Sequence, residues 1–196
     1  NSYYFKPVKW ALGSKITGGT AANLFSPNAN CTRAQVVTFL WRAAGKPKAA
    51  GKNPFVDVKT DAYYYDAVLW AAKSSITGGT TAVTFSPNNP CTRAQMVTFL
   101  WRAAGSPEPT TTVCPFTDVD MDSYYGKAVL WAVENGITNG TSDTTFSPDM
   151  ECSRAQMAAF LCRMADGKAE SAVNTFADVK DSAYYAEAVQ WAVENG

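Results

Sequence analysis

A repeat of about 60 residues constrains the fold of this chain more than any other sequence feature. One tryptophan recurs at spacings of 60, 61 and 60 residues, at Trp10, Trp70, Trp131 and Trp191. A Phe-Ser-Pro segment followed by Cys-Thr/Ser-Arg-Ala-Gln recurs in step, in copies that begin at Phe25, Phe85 and Phe146. A unit of this size cannot bury its own apolar face, so the pattern predicts tandem units that pack on one another.

Each repeat carries the patterns of two helices. In the second repeat, apolar residues from Tyr64 to Ala71 follow the i, i+3, i+4, i+7 spacing of an amphipathic helix. We expect this first helix to end where Gly136 stands in the third repeat, since glycine tolerates the left-handed conformation at a helix C-terminus. The segment from Thr92 to Gln95 matches a capping box and predicts the start of a second helix. The predicted fold is therefore all-α, in tandem helix-loop-helix repeats.

Polar or Pro-containing linkers at 46–53, 106–113 and 166–174 place the repeat boundaries. We predict a first repeat over 1–50, a second over 51–110, a third over 111–170 and the start of a fourth over 171–196. The chain opens at Asn1 without Met and lacks the beginning of the first repeat. We therefore expect it to be a piece of a larger protein, whose extra half-repeat is a candidate for self-association.

Composition excludes several classes of function. The chain has no histidine, so it cannot build a His-dependent nucleophile or a His-ligated metal site. Its 17 basic residues balance 17 acidic ones, which argues against a nucleic acid partner. No apolar stretch approaches the length of a membrane span. No paired catalytic carboxylates recur in a cleft-like context, so we expect neither catalysis nor a cofactor.

The ordered set of motifs resembles the S-layer homology family over essentially the whole chain. Besides the tryptophan and Thr/Ser-Arg-Ala-Gln motifs, the resemblance depends on a Phe-x-Asp-Val motif that begins at Phe55, Phe116 and Phe176. It implies three repeats around a pseudo-threefold axis that hold a surface protein non-covalently to the cell wall, outside the cell. The implied partner is a pyruvylated secondary cell-wall polysaccharide, bound in grooves between repeats. The alternative is a helical scaffold that binds another protein or another copy of itself.

The chain departs from the family motif at the last position of every copy, and the third copy also has Ser153 in place of Thr. The family motif ends in Glu, whereas this chain has Gln35, Gln95 and Gln156. Glutamine preserves capping, but one negative charge is lost per groove.

An arginine in the first turn of each second helix is the leading binding candidate. A cation there opposes the helix dipole, so an anionic ligand would compensate for it. The candidates are Arg33, Arg93 and Arg154, together with the capping residues Thr32, Thr92 and Ser153. The alternative role for each arginine is an ion pair to an Asp of the Phe-x-Asp-Val motif or a bond to a loop carbonyl. A second arginine, at the other end of this helix in Arg42, Arg102 and Arg163, is interpreted as structural.

The loops before Phe-Ser-Pro supply further candidates. Gly18, Gly78 and Gly79 can bring bare backbone near a sugar, or form simple turns. Tyr64 and Tyr125 are candidates for stacking on a sugar ring, although their helical spacing also suits core packing. Asp57, Asp118 and Asp178 are expected to cap the first helix or to tie the preceding loop. Asp118, Asp120 and Asp122 resemble the start of a calcium loop but lack its Gly and its terminal Glu, so we predict no metal site.

The cysteines fall into two groups. Cys31, Cys91 and Cys152 are equivalent by repeat and are expected to be free core thiols, with a threefold thiolate metal site as the alternative. Cys114 and Cys162 each occur in one repeat only. Two singular changes within one repeat suggest a disulfide, in keeping with an extracellular setting.

Overall fold

Helices of two lengths alternate along the chain. The computed structural model describes residues 3–167 and 176–179, and within them it has six helices. The shorter helices of nine residues are α1 (Phe5–Gly13), α3 (Tyr65–Lys73) and α5 (Gly126–Glu134). The longer helices of eleven residues are α2 (Arg33–Ala43), α4 (Arg93–Ala103) and α6 (Arg154–Met164). Isolated bridges are the only β pairing in this part of the chain, so the all-α prediction is confirmed.

The short helices end as the sequence predicts. The chain turns into the left-handed region at Lys15, Ser75 and Gly136, with φ of 55°, 58° and 65°. Immediately afterwards the backbone N–H of Ile16, Ile76 and Ile137 donates back into the last turn of the helix, at 2.8 Å in each case. Gly136 adopts this conformation without the steric cost of a Cβ, whereas Lys15 and Ser75 tolerate that cost.

The chain folds into two compact lobes, and the boundaries between them fall inside the predicted first and third repeats. The central lobe runs from Cys31 to Cys152, and the terminal lobe combines Asn1–Asn30 with Ser153–Gly196. In the central lobe α2 packs on α3, α4 packs on α5, and α2 also contacts α4. In the terminal lobe α1 packs on α6. Each pair α2–α3 and α4–α5 therefore joins the second helix of one repeat to the first helix of the next. Apart from 176–179, the predicted fourth repeat and its proposed self-association lie outside the described residues.

The repeated cysteines meet in the centre of the central lobe. The backbone N–H of Cys31 donates to the carbonyl of Cys152, that of Cys91 to Cys31, and that of Cys152 to Cys91, at 2.9, 2.8 and 2.8 Å. All three side chains are fully buried and none forms a disulfide, as predicted. Burial raises the pKa of Cys91 to about 12 and also raises that of Cys152, which keeps both thiols protonated. Among the described residues, no group of His, Cys, Asp or Glu is arranged to hold a metal ion.

The predicted disulfide between Cys114 and Cys162 is not formed in the structure. Both residues are free thiols. The Sγ of Cys162 is buried and donates instead to the carbonyl oxygen of Gly167 at 3.1 Å. No helix within 3–167 and 176–179 is long and apolar enough to span a bilayer.

Candidate functional site

The three motif arginines share one buried environment. Arg33, Arg93 and Arg154 each open a long helix, and their side chains are 3%, 2% and 3% exposed. Each Nε donates to the carbonyl oxygen of a Phe-Ser-Pro loop, from Arg33 to Phe85 at 2.9 Å, from Arg93 to Phe146 at 2.8 Å, and from Arg154 to Phe25 at 2.7 Å. The structure thus shows, for all three arginines, the loop-carbonyl contact that was the alternative to ligand binding. Each guanidinium also lies 4.6–4.9 Å from the ring centre of that phenylalanine, within cation–π range.

The aspartates of the Phe-x-Asp-Val motif hold these loops. The two carboxylate oxygens of Asp57 accept the backbone N–H groups of Phe85 and Ser86, at 2.8 and 2.7 Å. Asp118 does the same for the loop at Phe146, and Asp178 for the loop at Phe25. Capping of the first helix, one of the two expected roles, is wrong for Asp57 and Asp118, since α3 and α5 have no side-chain cap; the helix expected after Asp178 lies outside the described residues. A carboxylate has two acceptor oxygens, and each of them accepts one of two adjacent N–H groups in a distant turn.

The capping residues hold the starts of the long helices. The hydroxyls of Thr32, Thr92 and Ser153 each accept the backbone N–H of the glutamine three residues later. At Thr32 and Ser153 that glutamine reaches back to the N–H of the capping residue at 3.1 Å, which completes the box. At Thr92 it does not, because Oε1 of Gln95 accepts instead from Nη1 of Arg33 at 3.1 Å. The second capping box is therefore half open, and Gln95 belongs to the environment of Arg33.

A cavity of about 500 Å³ lies in the central lobe beside this arginine. This volume falls within the range of small-molecule binding sites. One wall is the loop 77–81, and another is a face of α4. The lining residues are Arg33, Thr77, Gly78, Gly79, Thr80, Thr81, Gln95, Thr98, Phe99, Arg102 and Tyr124.

The cavity is electropositive. Arg33 and Arg102 line it, and no acidic residue does. Nη2 of Arg33 is buried and has no hydrogen-bond partner in the part of the chain that the structure describes. Burial lowers the pKa of Arg33, an effect that Cys91, Tyr124 and Asp57 oppose. A buried guanidinium with an unused donor is costly, and an anion in the cavity would offset that cost.

Several of the lining residues also have partners within the protein. Nη1 of Arg102 donates to the carbonyl oxygen of Ile76 at 3.3 Å. The hydroxyl of Thr98 donates to the carbonyl oxygen of Ala94 at 2.7 Å. Burial raises the pKa of Tyr124, so its phenol stays neutral and can donate a hydrogen bond at neutral pH.

Some predicted site residues meet here and others do not. Arg33, Gly78 and Gly79 line the cavity, while Gly18, Arg93, Arg154, Thr32, Thr92 and Ser153 do not. Tyr64 and Tyr125 also lie outside it, because they stand at the N-caps of α3 and α5. The neighbouring Tyr124, which is 57% exposed, lines the cavity instead. Tyr124 and Tyr125 pack edge to face with ring centres 5.1 Å apart.

Sequence reasoning missed the helical wall of the cavity. Gln95, Thr98, Phe99 and Arg102 follow the i, i+3, i+4, i+7 pattern and share one face of α4. The polar members of this face could have been found from the sequence, because their helical spacing places an amide, a hydroxyl and a guanidinium group in one row. Arg102 was predicted to be structural, and its bond to Ile76 is of that kind, but it also faces the cavity.

Comparison with known proteins adds a family match. A model described as the S-layer homology domain matches residues 1–37, 54–97 and 115–158. The second and third segments contain the aspartate, tryptophan and arginine motifs, whereas the first contains only the tryptophan and arginine motifs.

Several curated proteins are similar to this chain. The surface-layer 125 kDa protein of Lysinibacillus sphaericus is 28% identical over 167 residues, which cover 83% of this chain and 14% of that protein. The cellulosome-anchoring protein of Acetivibrio thermocellus is 28% identical over 172 residues, covering 82% of this chain and 38% of that protein. An endoglucanase of Bacillus sp. (strain KSM-635) is 34% identical over 110 residues, covering 56% of this chain and 11% of the enzyme. The chain thus spans well under half the length of each of these relatives.

Proposed function

We propose that this chain, which belongs to the S-layer homology domain family, anchors its parent protein at the bacterial cell surface by binding an acidic cell-wall polysaccharide in the cavity beside Arg33. Domains of this family anchor surface proteins to the cell wall. Similarity to a surface-layer protein and to a cellulosome-anchoring protein supports an extracellular location. The ligand we propose is a saccharide with a pyruvate ketal.

The buried Arg33 guanidinium is the observation that carries this proposal. Its Nε is used by Phe85 and one N–H of Nη1 by Gln95, while Nη2 has no hydrogen-bond partner among the described residues. A carboxylate bound against the guanidinium would supply the missing acceptor and charge. A pyruvate ketal carries such a carboxylate on a sugar ring.

The rest of the cavity suits a sugar. An added Cβ at Gly78 would meet nothing within 4 Å, so the loop leaves open space there. Tyr124 supplies an exposed aromatic surface, and the hydroxyls of Thr80 and Thr81 make the loop wall polar while they hydrogen-bond to Ser86 and Thr84 within the loop. A few polar groups around an aromatic side chain are typical of small-molecule sites.

Binding to purified cell-wall sacculi, with and without chemical removal of ketal pyruvate, tests this proposal. We expect the chain to sediment with untreated sacculi and to lose at least tenfold in affinity for depyruvylated ones. Arg33→Ala should cause a similar loss, whereas Lys127→Ala, which removes an exposed cation from α5, should not.

A second variant guards against misfolding of Arg33→Ala. Gly78→Val should fold, because its position is open and its φ is not left-handed, yet it should block the cavity. Circular dichroism would verify both folds. Binding by folded Gly78→Val and Arg33→Ala that equals the wild type would contradict the proposed site. Undiminished binding to depyruvylated sacculi would contradict the proposed ligand and favour a protein-binding scaffold.

A further inference from the structure

Two guanidiniums face one cavity, and one carboxylate would neutralise only half of their charge. Arg33 and Arg102 both line the space, together with nine uncharged residues. The position best placed to neutralise Arg33 from within is Gln95, and its amide carries no charge. The cavity therefore has a formal charge of two positive units from its lining.

Arg102 has hydrogen-bond donors that a second group of the ligand could use. It is half-buried, and its hydrogen bond to Ile76 is 3.3 Å long, beyond the usual range for such bonds. A guanidinium has five N–H donors, so this bond leaves most of them unused. Arg102 also stands seven residues after Gln95 on the same face of α4, two turns along the cavity wall.

We propose that the cavity selects a saccharide with two anionic groups, one bound at Arg33 and the other at Arg102. This inference depends on the proposed function and adds to it the charge of the ligand. The first group is the ketal carboxylate, and the second is a carboxylate or a phosphate on the adjoining sugar. The volume of about 500 Å³ provides room for more than a single carboxylate and its ring. Gln95 acts as a specificity-determining residue because its amide, unlike a carboxylate, adds no negative charge beside Arg33.

Three synthetic probes test the second anionic group. The first is a methyl hexoside with a 4,6-linked pyruvate ketal, which carries one negative charge. The second joins that sugar to a uronic acid, and the third joins it to a hexose phosphate. Titration is followed by NMR at the Nε–H of Arg33 and the side-chain amide of Gln95, because these signals report on this cavity alone. We expect the second or the third probe to bind at least tenfold more tightly than the first at low salt.

Two variants assign the effect to residues. Arg102→Met should reduce the preference for the doubly charged probe to less than twofold, and it should weaken the singly charged probe much less than the doubly charged ones. Gln95→Glu should weaken all three probes about tenfold, because its carboxylate would compete for Arg33. The matched controls are Lys127→Met and Asn88→Asp, which make the same charge changes at exposed positions outside the cavity.

The outcomes separate this inference from the proposed function. Equal binding of all three probes, with binding still lost in Arg33→Ala, would overturn the two-anion inference and leave the proposed function standing. A preference for the doubly charged probes that persists in Arg102→Met would also overturn it. Failure of every probe to shift the Arg33 and Gln95 signals would overturn the proposed function itself.

Discussion

Asp57 and Ser86 are joined by a hydrogen bond of 2.7 Å across 29 residues of sequence, from the backbone N–H of Ser86 to Oδ2 of Asp57. Ser86 has a φ of 57°, a conformation that is unfavourable for a residue with a Cβ. The other carboxylate oxygen binds the N–H of Phe85, whose carbonyl accepts from Arg33. Asp57 thus stabilises a strained turn and, through it, positions the arginine of the cavity.

Asp57→Asn should destabilise the protein by about 1–3 kcal/mol, because one acceptor becomes an NH₂ group that faces a backbone N–H. Urea unfolding followed by circular dichroism would measure the change. Asp61→Asn, at an exposed position four residues later, should change the free energy of unfolding by no more than about 0.5 kcal/mol. Equal losses in the two variants would show that the carboxylate does not hold the turn.

Gly79→Ala should be far more destabilising than Gly78→Ala. Gly79 has a φ of +84°, and a Cβ there would lie 2.6 Å from both Cε1 of Phe55 and the carbonyl oxygen of Thr81, besides contacting the carbonyl oxygen of Thr84. A Cβ on Gly78 would meet nothing within 4 Å. We expect a loss above about 2 kcal/mol for the first change and below about 1 kcal/mol for the second. The midpoints of thermal unfolding of the two variants would reveal the difference, and similar midpoints would contradict it.

Much of the fold could be predicted because each helix has a local signal. The capping box at Thr32, the helical spacing from Tyr64 to Ala71 and the C-terminal position of Gly136 all depend on residues close in sequence. Which helices pack on each other is harder to predict from the sequence. The linkers suggest that each repeat is a unit, yet α2 packs on α3 of the following repeat.

The part of the candidate site that could be predicted also depends on local signals in the sequence. Arg33 stands out because a cation at a helix start is unfavourable, and that local conflict is visible in the sequence. The partner of Asp57 lies 28 and 29 residues away, and no spacing rule connects them. Which of Tyr124 and Tyr125 lines the cavity is likewise a matter of tertiary structure, which the spacing of the motif does not specify.

Acid should release the linker after α4 from the end of α5. The carboxylate of Glu134 accepts the backbone N–H groups of Thr110 and Thr111 at 3.0 and 2.6 Å, and the hydroxyl of Thr110 at 3.0 Å. The N–H of Thr110 is the largest of the effects that lower the pKa of Glu134, followed by that of Thr111. Since the folded-state pKa is depressed, the stabilisation is fully present above the ordinary Glu pKa of about 4.3, and it is lost as the pH falls through the folded-state value.

The amide proton shifts of Thr110 and Thr111 between pH 2 and 7 would measure this release. We expect both signals to titrate together, with a midpoint below the ordinary Glu value, and Glu134→Gln to abolish the titration. Glu108→Gln is the matched control, since Glu108 is exposed and pairs with Lys127 at 2.8 Å outside this contact. Titration that persists in Glu134→Gln would show that another group controls the linker.

Thiol reactivity should separate Cys114 from the other four cysteines. Burial raises the pKa of Cys91 and of Cys162 to about 12, so that at pH 8 their thiolate fraction is on the order of 10⁻⁴. Cys31 and Cys152 are as fully buried as Cys91, whereas Cys114 is only half-buried. Because the thiolate is the reactive species, N-ethylmaleimide should modify native protein at Cys114 first.

Mass spectrometry of the labelled protein tests that order. We expect one rapid modification in the folded chain, none in Cys114→Ser, and five after denaturation. Cys31, Cys91 and Cys152 should react only at the rate of unfolding, because they are fully buried and their backbones are hydrogen-bonded to one another. Rapid labelling of Cys91 in the folded chain would show that this centre opens without unfolding. It would also bring into question the burial of Arg33, whose charge lies close enough to Cys91 to lower the pKa of that thiol.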